Sequence, residues 1–279
     1  MKIILISIWI TGCLGIKAQS HRFIYDVQYR KDSTQNLMTK ENYHLDIDQK
    51  EVKYYPRDFY VGDSLITNNI PFGKDMQFNT SGIISHQQGS STYNDYDVLE
   101  SVVLKRVAKA VQNWKLTGEK KQIKELSVQK AVTSWGGRNW IAWFSPEIPF
   151  QEGPHKFHGL PGLIVELYDD KNDYHFELVK NQKLSKPYVN QFIQYMESRS
   201  VTVNDEKYKE AKLKYYASPV NYLRNSAGVT RSNEEYYLND GTLVGENNSR
   251  EVNERLKESI RKYNNPIEID TAIRYPSEL

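Results

Sequence analysis

Two predicted hairpins in the middle of the chain constrain its fold most, because each joins two strands that run in opposite directions. The first joins IKELSVQKAVTSW, residues 123–135, to RNWIAWFS, residues 138–145, through Gly136 and Gly137. Adjacent glycines supply the positive backbone angles that tight hairpin turns need. The second, LIVELYDDKNDYHFELV, turns at residues 170–173, where aspartate and asparagine suit a turn. This part of the sequence therefore predicts an antiparallel sheet.

The patterns on either side add more strands and, later, helices. The segments HRFIYDVQYR, NYHLDID and EVKYYPRDFYVGDSLI alternate apolar and polar residues and predict strands. Residues 68–97 are rich in Asn, Ser and Gly and predict long surface loops, whereas residues 97–117 fit a helix and a strand equally well. Residues 202–216 and 249–266 predict helices, because the first begins with a capping-box pattern and the second carries an apolar stripe. The expected fold class is mainly β or α+β: an antiparallel curved sheet or partly open barrel with helices toward the C-terminus.

The N-terminal segment, residues 1–18, predicts a secretory signal peptide. A lysine precedes the apolar run IILISIWITGCLGI, which is short for a membrane span, and KAQS offers a cleavage point between Ala18 and Gln19. The stretch ITGC also resembles a bacterial lipobox, in which Cys13 would carry a lipid. Plain secretion is favoured because the apolar run continues past that cysteine. The mature chain, residues 19–279, is expected to form one β-rich domain without a transmembrane span.

Cleavage at this point changes the charge and removes the thiol. Loss of Lys2 and Lys17 lowers the count of Lys and Arg from 37 to 35, which equals the 35 Asp and Glu. A neutral chain gives no support to electrostatic binding of nucleic acid. Cys13 is the one cysteine of the sequence, so no disulfide, thiol nucleophile or cysteine-bound metal is expected in the mature protein.

A pair of histidines, His155 and His158, has the H-x-x-H spacing of two metal ligands on one helical turn. Pro154 and Pro161 flank them and disfavour a helix there. We therefore interpret both histidines as loop residues with hydrogen-bonding or packing roles. No metal or other cofactor is predicted.

The glutamates Glu147, Glu152 and Glu166 lie near these histidines in the sequence. A pair of carboxylates at a suitable separation is what glycoside hydrolysis requires, but the sequence does not give that separation. The alternative function considered is a periplasmic hydrolase of peptides or glycans that uses His155 or His158 with Glu147 or Glu152.

Two tryptophans of the first hairpin are candidate binding residues. On a strand, Trp140 and Trp143 point to opposite faces, so one serves the core and the other is free for a ligand. With His155 and His158 they complete the predicted binding set.

The hexapeptide GLPGLI predicts a structural corner that leads into a strand. Pro161 and Gly162 suit the two central positions of a type II turn, where glycine accepts a positive φ. Gly159 and Gly162 also permit another backbone to approach closely. The residues of this structural motif are Gly159, Leu160, Pro161, Gly162, Leu163 and Ile164.

The block AWFSPEIPFQEGPHKFHGLPGLIVELYD, residues 142–169, resembles the signature of the GLPGLI family of secreted Bacteroidetes proteins. The tripeptide QKA at residues 129–131 and the segment NNPIEI at residues 264–269 also look like features of that family. In the family that the chain resembles, many members carry a cysteine just before QKA. Here Ser127 and Val128 stand in that place, so any role of that thiol is absent.

The resemblance implies export and residence in the periplasm or at the outer membrane, and it implies no reaction. The leading hypothesis is a non-enzymatic binding protein whose partner is a ligand, a peptide, an outer-membrane transporter or another envelope protein. A concave apolar face of the curved sheet is the expected binding surface.

Overall fold

A computed structural model gives the arrangement of most of the chain. It describes residues 20–71, 82–99, 102–226, 235–238 and 241–276. The predicted signal peptide, residues 1–18, and the alternative lipidation site at Cys13 lie outside the described residues.

Most strands of the described chain belong to one sheet. These are β1 (Ser20–Tyr29), β2 (Thr39–Ile47), β3 (Glu51–Pro56), β4 (Ile83–Gln87), β5 (Thr92–Leu99), β6 (Val102–Lys109), β7 (Lys115–Ile123), β8 (Leu126–Trp135), β9 (Arg138–Ser145), β10 (Leu163–Asp169), β11 (Tyr174–Leu184) and β12 (Val201–Thr202). Their order is β12-β6-β5-β4-β3-β2-β1-β11-β10-β9-β8-β7. Neighbours pair antiparallel except β12, which runs parallel to β6. A separate small ribbon pairs β13 (Tyr236–Tyr237) with β14 (Leu243–Val244).

The helices lie mostly in the C-terminal third. They are α1 (Arg57–Thr67), α2 (Gln191–Ser198), α3 (Asp205–Ala217), α4 (Pro219–Ser226), α5 (Ser249–Lys262) and a 3-10 turn at Ile269–Thr271. With 42% strand, 24% helix and a sheet that does not close, the predicted fold class is confirmed. No helix of the described residues has both the length and the apolar character needed to cross a membrane.

The sheet has two faces that are packed differently. The inner face carries side chains such as Phe23, Tyr25, Tyr54 and Tyr93, which are all buried in one large apolar cluster. The segment between β9 and β10, residues 146–162, lies against this face, and we name it the core loop. The outer face of β3 to β6 is covered by helices α1 and α2, which bury a second apolar cluster there.

Two predictions from the sequence are corrected. Residues 51–66, predicted as one strand, form β3 and then α1, because Pro56 ends the ladder and the following turns place Phe59 and Asp63 on one buried face. Residues 83–87 and 92–97, predicted as surface loops, are strands of the sheet. Several of their polar residues are buried by tertiary contacts, since Ser85 is fully buried on the outer face and Asp95 bonds to Lys156 of the core loop on the inner face.

The structure also assigns one segment that the sequence left open and adds two short helices. The ambiguous residues 97–117 are strand at the end of β5, in β6 and at the start of β7. Helices α2 and α4 had no counterpart in the sequence analysis. Each is only eight residues long, which gives a short periodic pattern.

Candidate functional site

The two candidate tryptophans lie on opposite faces of the sheet, as the strand period predicts. Trp140 is on the inner face and 1% exposed. Its indole N–H donates to the Trp135 carbonyl oxygen at 2.9 Å, and its ring lies 4.7 Å from that of Phe157 in the core loop. Trp143 is on the outer face, where the Lys121 ammonium lies 4.2 Å above its ring. Both tryptophans belong to the large apolar cluster, and Trp143, which is 7% exposed, lies beneath the charged groups of the outer face.

The two candidate histidines face the interior from the core loop, but they do not converge. His155 has a positive φ of 56°, and its Nδ1 is buried without a hydrogen-bond partner among the described residues. Burial, helped by the charge of Lys156, lowers the pKa of His155 to about 3. His158 places Nδ1 3.2 Å from the Lys156 carbonyl oxygen and its ring 5.5 Å from Tyr93.

Between these histidines lies a residue that the sequence analysis did not single out. Lys156 is 1% exposed, and its ammonium donates to Asp95 at 3.0 Å and to Glu268 at 2.6 Å. Burial alone would lower the pKa of Lys156, but the two carboxylates hold it above its ordinary value. Arg106 also contacts Asp95 at 2.8 Å. The core loop is therefore fixed to β5 and to the C-terminal segment by a buried ionic centre.

The glutamates of the hydrolase alternative lie in three different places. Glu152 is buried and lies 3.2 Å from His86 of β4. Glu147 is exposed and accepts the backbone N–H of Ser127 at 3.0 Å. Glu166 lies on the outer face, 2.7 Å from Lys121. Within the described residues, no group of three or more histidine, cysteine or acidic side chains is placed to hold a metal ion.

The hexapeptide forms a tighter corner than a type II turn. The Gly162 N–H donates to the Leu160 carbonyl oxygen at 2.8 Å, two residues back, and Leu163 instead bonds to Ile148. Gly162 has a φ of 151°. A Cβ there would lie 2.2 Å from the Ser145 carbonyl oxygen, so the corner depends on the close approach of two backbones.

The segment NNPIEI, residues 264–269, packs against the turn of the first hairpin. The Arg138 guanidinium donates to Asn265 at 2.5 Å and to the Pro266 carbonyl oxygen at 2.8 Å. The hairpin turn lies so close that a Cβ on Gly137 would be 2.6 Å from Ile269. This segment therefore has a structural role in closing the core.

An open groove lies on the other half of the molecule, beside helix α2 on the outer face. Asp63 of α1 accepts the Gln191 backbone N–H at 2.7 Å and the Tyr188 hydroxyl at 2.6 Å, which fixes the start of α2. The groove has a volume of about 1030 Å³. Its lining comprises Glu51, Tyr96, Lys105, Val189, Gln191, Gln194, Tyr195, Glu197 and Ser198.

A smaller cavity of about 100 Å³ adjoins the groove and shares Glu51, Val189 and Gln194 with it. Its wall includes Asp46, which is paired with Arg22 at 2.7 Å. The Arg22 guanidinium lies 4.7 Å from the ring of Tyr60 and 4.3 Å from the ring of Tyr188. Despite its burial, Arg22 has a raised pKa, because Asp46 bonds to it. The cavity wall thus contains a paired charge.

No pattern recognised in the sequence predicted this groove. Its residues come from β3, β5, β6 and α2, which are far apart along the chain. Within one short segment, the groove is marked by exposed tyrosine and valine side chains, such as Tyr195 at 57% and Val189 at 55% exposure. That exposure is seen in the structure and not in the sequence.

Residues 136–166 match a family described as "Protein of unknown function (Porph_ging)", a Bacteroidetes-associated domain. The matched residues contain β9, the core loop and the GLPGLI corner. A comparison with curated proteins finds no match.

Two solved structures are similar to part of the chain. One is titled "Structure of PNGF-II in P21 space group", with 15% identity, a TM-score of 0.49, and coverage of 70% of this chain and 33% of that chain. The other, "Structure of PNGF-II in C2 space group", has 16% identity, the same TM-score, and coverage of 70% and 32%. The chain thus spans about a third of the length of those proteins, and a similarity of this size carries no conclusion about function.

Proposed function

We propose that this protein is exported to the cell envelope and there binds a ligand or partner without catalysing a reaction, using the groove beside α2. The observation that carries the proposal is an open, polar groove in a molecule whose inner face is filled. The core loop occupies the concave surface that the sequence analysis had expected to bind a ligand, with Phe157 and Leu160 each 1% exposed.

The chemistry of the groove supports binding. Amide and hydroxyl side chains from α2 provide hydrogen-bond donors and acceptors, and the exposed ring of Tyr195 provides apolar area. The volume is in the range of ligand-binding sites.

Export is proposed from the N-terminal apolar segment and from the Bacteroidetes association of the matched domain. Fractionation of the producing cell, with mass spectrometry of the mature N-terminus, tests it. A chain beginning at Gln19 indicates plain secretion, and a lipidated Cys13 indicates a membrane anchor. An intact Met1 in the cytoplasmic fraction contradicts export.

The binding role is tested by blocking the groove. Ser198→Trp places a bulky ring in the groove, and Lys120→Trp places the same ring on the exposed strand β7. Partner recovery from envelope fractions, measured by quantitative mass spectrometry, should fall in the first variant and remain in the second. Equal recovery by both variants and the wild type would contradict the proposal.

A further inference from the structure

We infer that the groove beside α2 binds an extended peptide segment that carries a basic side chain at one end and a carboxylate at the other. The inference rests on the proposed function, because it names the ligand class of that same groove.

The end of the groove near β3 has an excess of negative charge. Glu197 is neutralised by Lys53, whose ammonium lies 2.9 Å from both carboxylate oxygens. Asp46 is neutralised by Arg22 in the adjoining cavity. Glu51 remains at the boundary between cavity and groove, and Asp48 lines the cavity.

These two carboxylates have oxygens to spare for a ligand. Asp48 accepts the backbone N–H groups of Lys50 and Glu51 through one oxygen, at 2.7 Å each. Glu51 has a side chain that is 40% exposed and contacts Lys53 through one oxygen at 3.2 Å. An incoming cation therefore has two carboxylates within one small region.

The cavity behind these carboxylates contains a polar group that needs a partner. Ser20 lines the cavity and is 3% exposed, and its hydroxyl oxygen has no hydrogen-bond partner among the described residues. A buried hydroxyl without a partner is costly. An ammonium or guanidinium group inserted into the cavity would donate to Ser20 while its charge faces Asp48 and Glu51.

The opposite end of the groove carries a positive charge. Lys105 of β6 has its ammonium 5.9 Å from the centre of the Tyr96 ring, and it forms no ion pair with any residue in the described ranges. Strand pairing places it level with Tyr55, through Tyr96 and Ile83. Lys105 thus lies three strands across from β3 and four residues along from Glu51, which separates the Cα atoms of Lys105 and Glu51 by about 19 Å at ordinary strand spacings.

A peptide has the length and the groups to join these two ends. About six extended residues span that distance. Between the ends, the side chains of Gln191 and Gln194 can pair with backbone N–H and carbonyl groups, and Tyr195 is exposed for apolar contact.

Isothermal titration calorimetry with the secreted protein at low salt tests this inference. The probe is the N-acetylated hexapeptide Lys-Ser-Ala-Ser-Ala-Ser with a free carboxylate. Two matched probes replace its lysine by glutamine or its carboxylate by an amide. Each replacement should weaken binding about fivefold, as expected for the loss of one partly exposed ion pair.

Protein variants assign each charge to its end of the groove. In Glu51→Gln, the lysine probe should lose part of its advantage over the glutamine probe, because Asp48 alone remains, while the amide probe still binds more weakly. In Lys105→Gln, the free-carboxylate and amide probes should bind equally, while the glutamine probe still binds more weakly than the lysine probe. Glu119→Gln, at an exposed site on β7, should change neither difference.

Equal binding of all three probes to the wild type, or no binding of any probe, overturns the peptide assignment. If the probes fail but Ser198→Trp still abolishes recovery of the envelope partner, the ligand class is wrong and the proposed function stands. If Ser198→Trp leaves that recovery intact, the proposed function itself fails.

Discussion

The two halves of the sheet differ in what covers the outer face, while the inner face is buried in both. Strands β7 to β11 are packed from the inside by the core loop, and their outer face carries charged side chains such as Lys121, Glu166 and His175. Strands β3 to β6 are covered from the outside by α1 and α2. Because a short helix covers only part of a face, the groove forms beside it. The half that contains the GLPGLI corner therefore has a structural role, and the candidate binding surface lies in the other half.

The largest effect is expected at the GLPGLI corner. Gly162→Val places a branched side chain into the Ser145 carbonyl group at a backbone angle that favours glycine. The free energy of unfolding should fall by more than about 4 kcal/mol, which leaves little folded, secreted protein. Gly118→Ala is the control, since a Cβ there meets nothing within 4 Å and its φ is not positive. Normal secretion and an unchanged melting temperature of Gly162→Val would contradict the corner interpretation.

The next effect concerns the buried ionic centre. Lys156→Met removes the cation between Asp95 and Glu268 and should lower the free energy of unfolding by about 3–5 kcal/mol. The matched change on the outer face, Lys121→Met, removes a pair whose lysine is 39% exposed and should cost less than about 1 kcal/mol. Urea denaturation of both variants measures the difference. Equal losses of the free energy of unfolding in the two variants would show that the buried inner ion pairs and the exposed outer pair contribute equally.

Acid should destabilise the protein, because two histidines with strongly lowered pKa values, His155 in the core loop and His44 on β2, are neutral in the folded state. Burial lowers the pKa of His155 to about 3, and burial with the charge of Arg22 lowers the pKa of His44 to about 3. Between the ordinary value near 6.5 and about 3, the unfolded chain binds more protons than the folded one, so stability falls as pH is lowered through that window. At pH 5, each histidine should cost about 2 kcal/mol relative to pH 8.

Thermal unfolding between pH 8 and pH 5 measures this loss. The double variant His44→Gln, His155→Asn should remove most of it, and asparagine suits the positive φ at position 155. The same pH dependence in this variant as in the wild type would assign the acid sensitivity to other groups.

The smallest effect on stability is expected in the groove. Ser198→Trp and Glu51→Gln change exposed or half-buried groups and should alter the free energy of unfolding by less than about 0.5 kcal/mol. Their effect should appear in binding alone. A large loss of stability in either variant would show that the groove, like the corner, is architectural.

Local patterns predicted the fold where neighbours in the sequence are also neighbours in space. The hairpins β8–β9 and β10–β11 and helices α3 and α5 were recognised in this way. The prediction for residues 83–97 was wrong because Ser85 and Asn94 resemble loop residues, although Asn94 donates to Ser85 within the sheet at 3.3 Å.

The candidate site could be predicted only in part. The sequence placed Trp140 and Trp143 on opposite faces, but it did not show that His155 and His158 are separated by a buried lysine. Lys156 meets Asp95 and Glu268 across 61 and 112 positions. Such partners are set by the path of the whole chain, so no local pattern reveals them.

The sequence by itself determined the antiparallel class of the sheet and the glycine corner that begins β10, because strand period and turn geometry act over a few residues. Only the tertiary structure decided that the core loop fills the inner face and that a groove opens beside α2. Both depend on burial and charge pairing between distant segments.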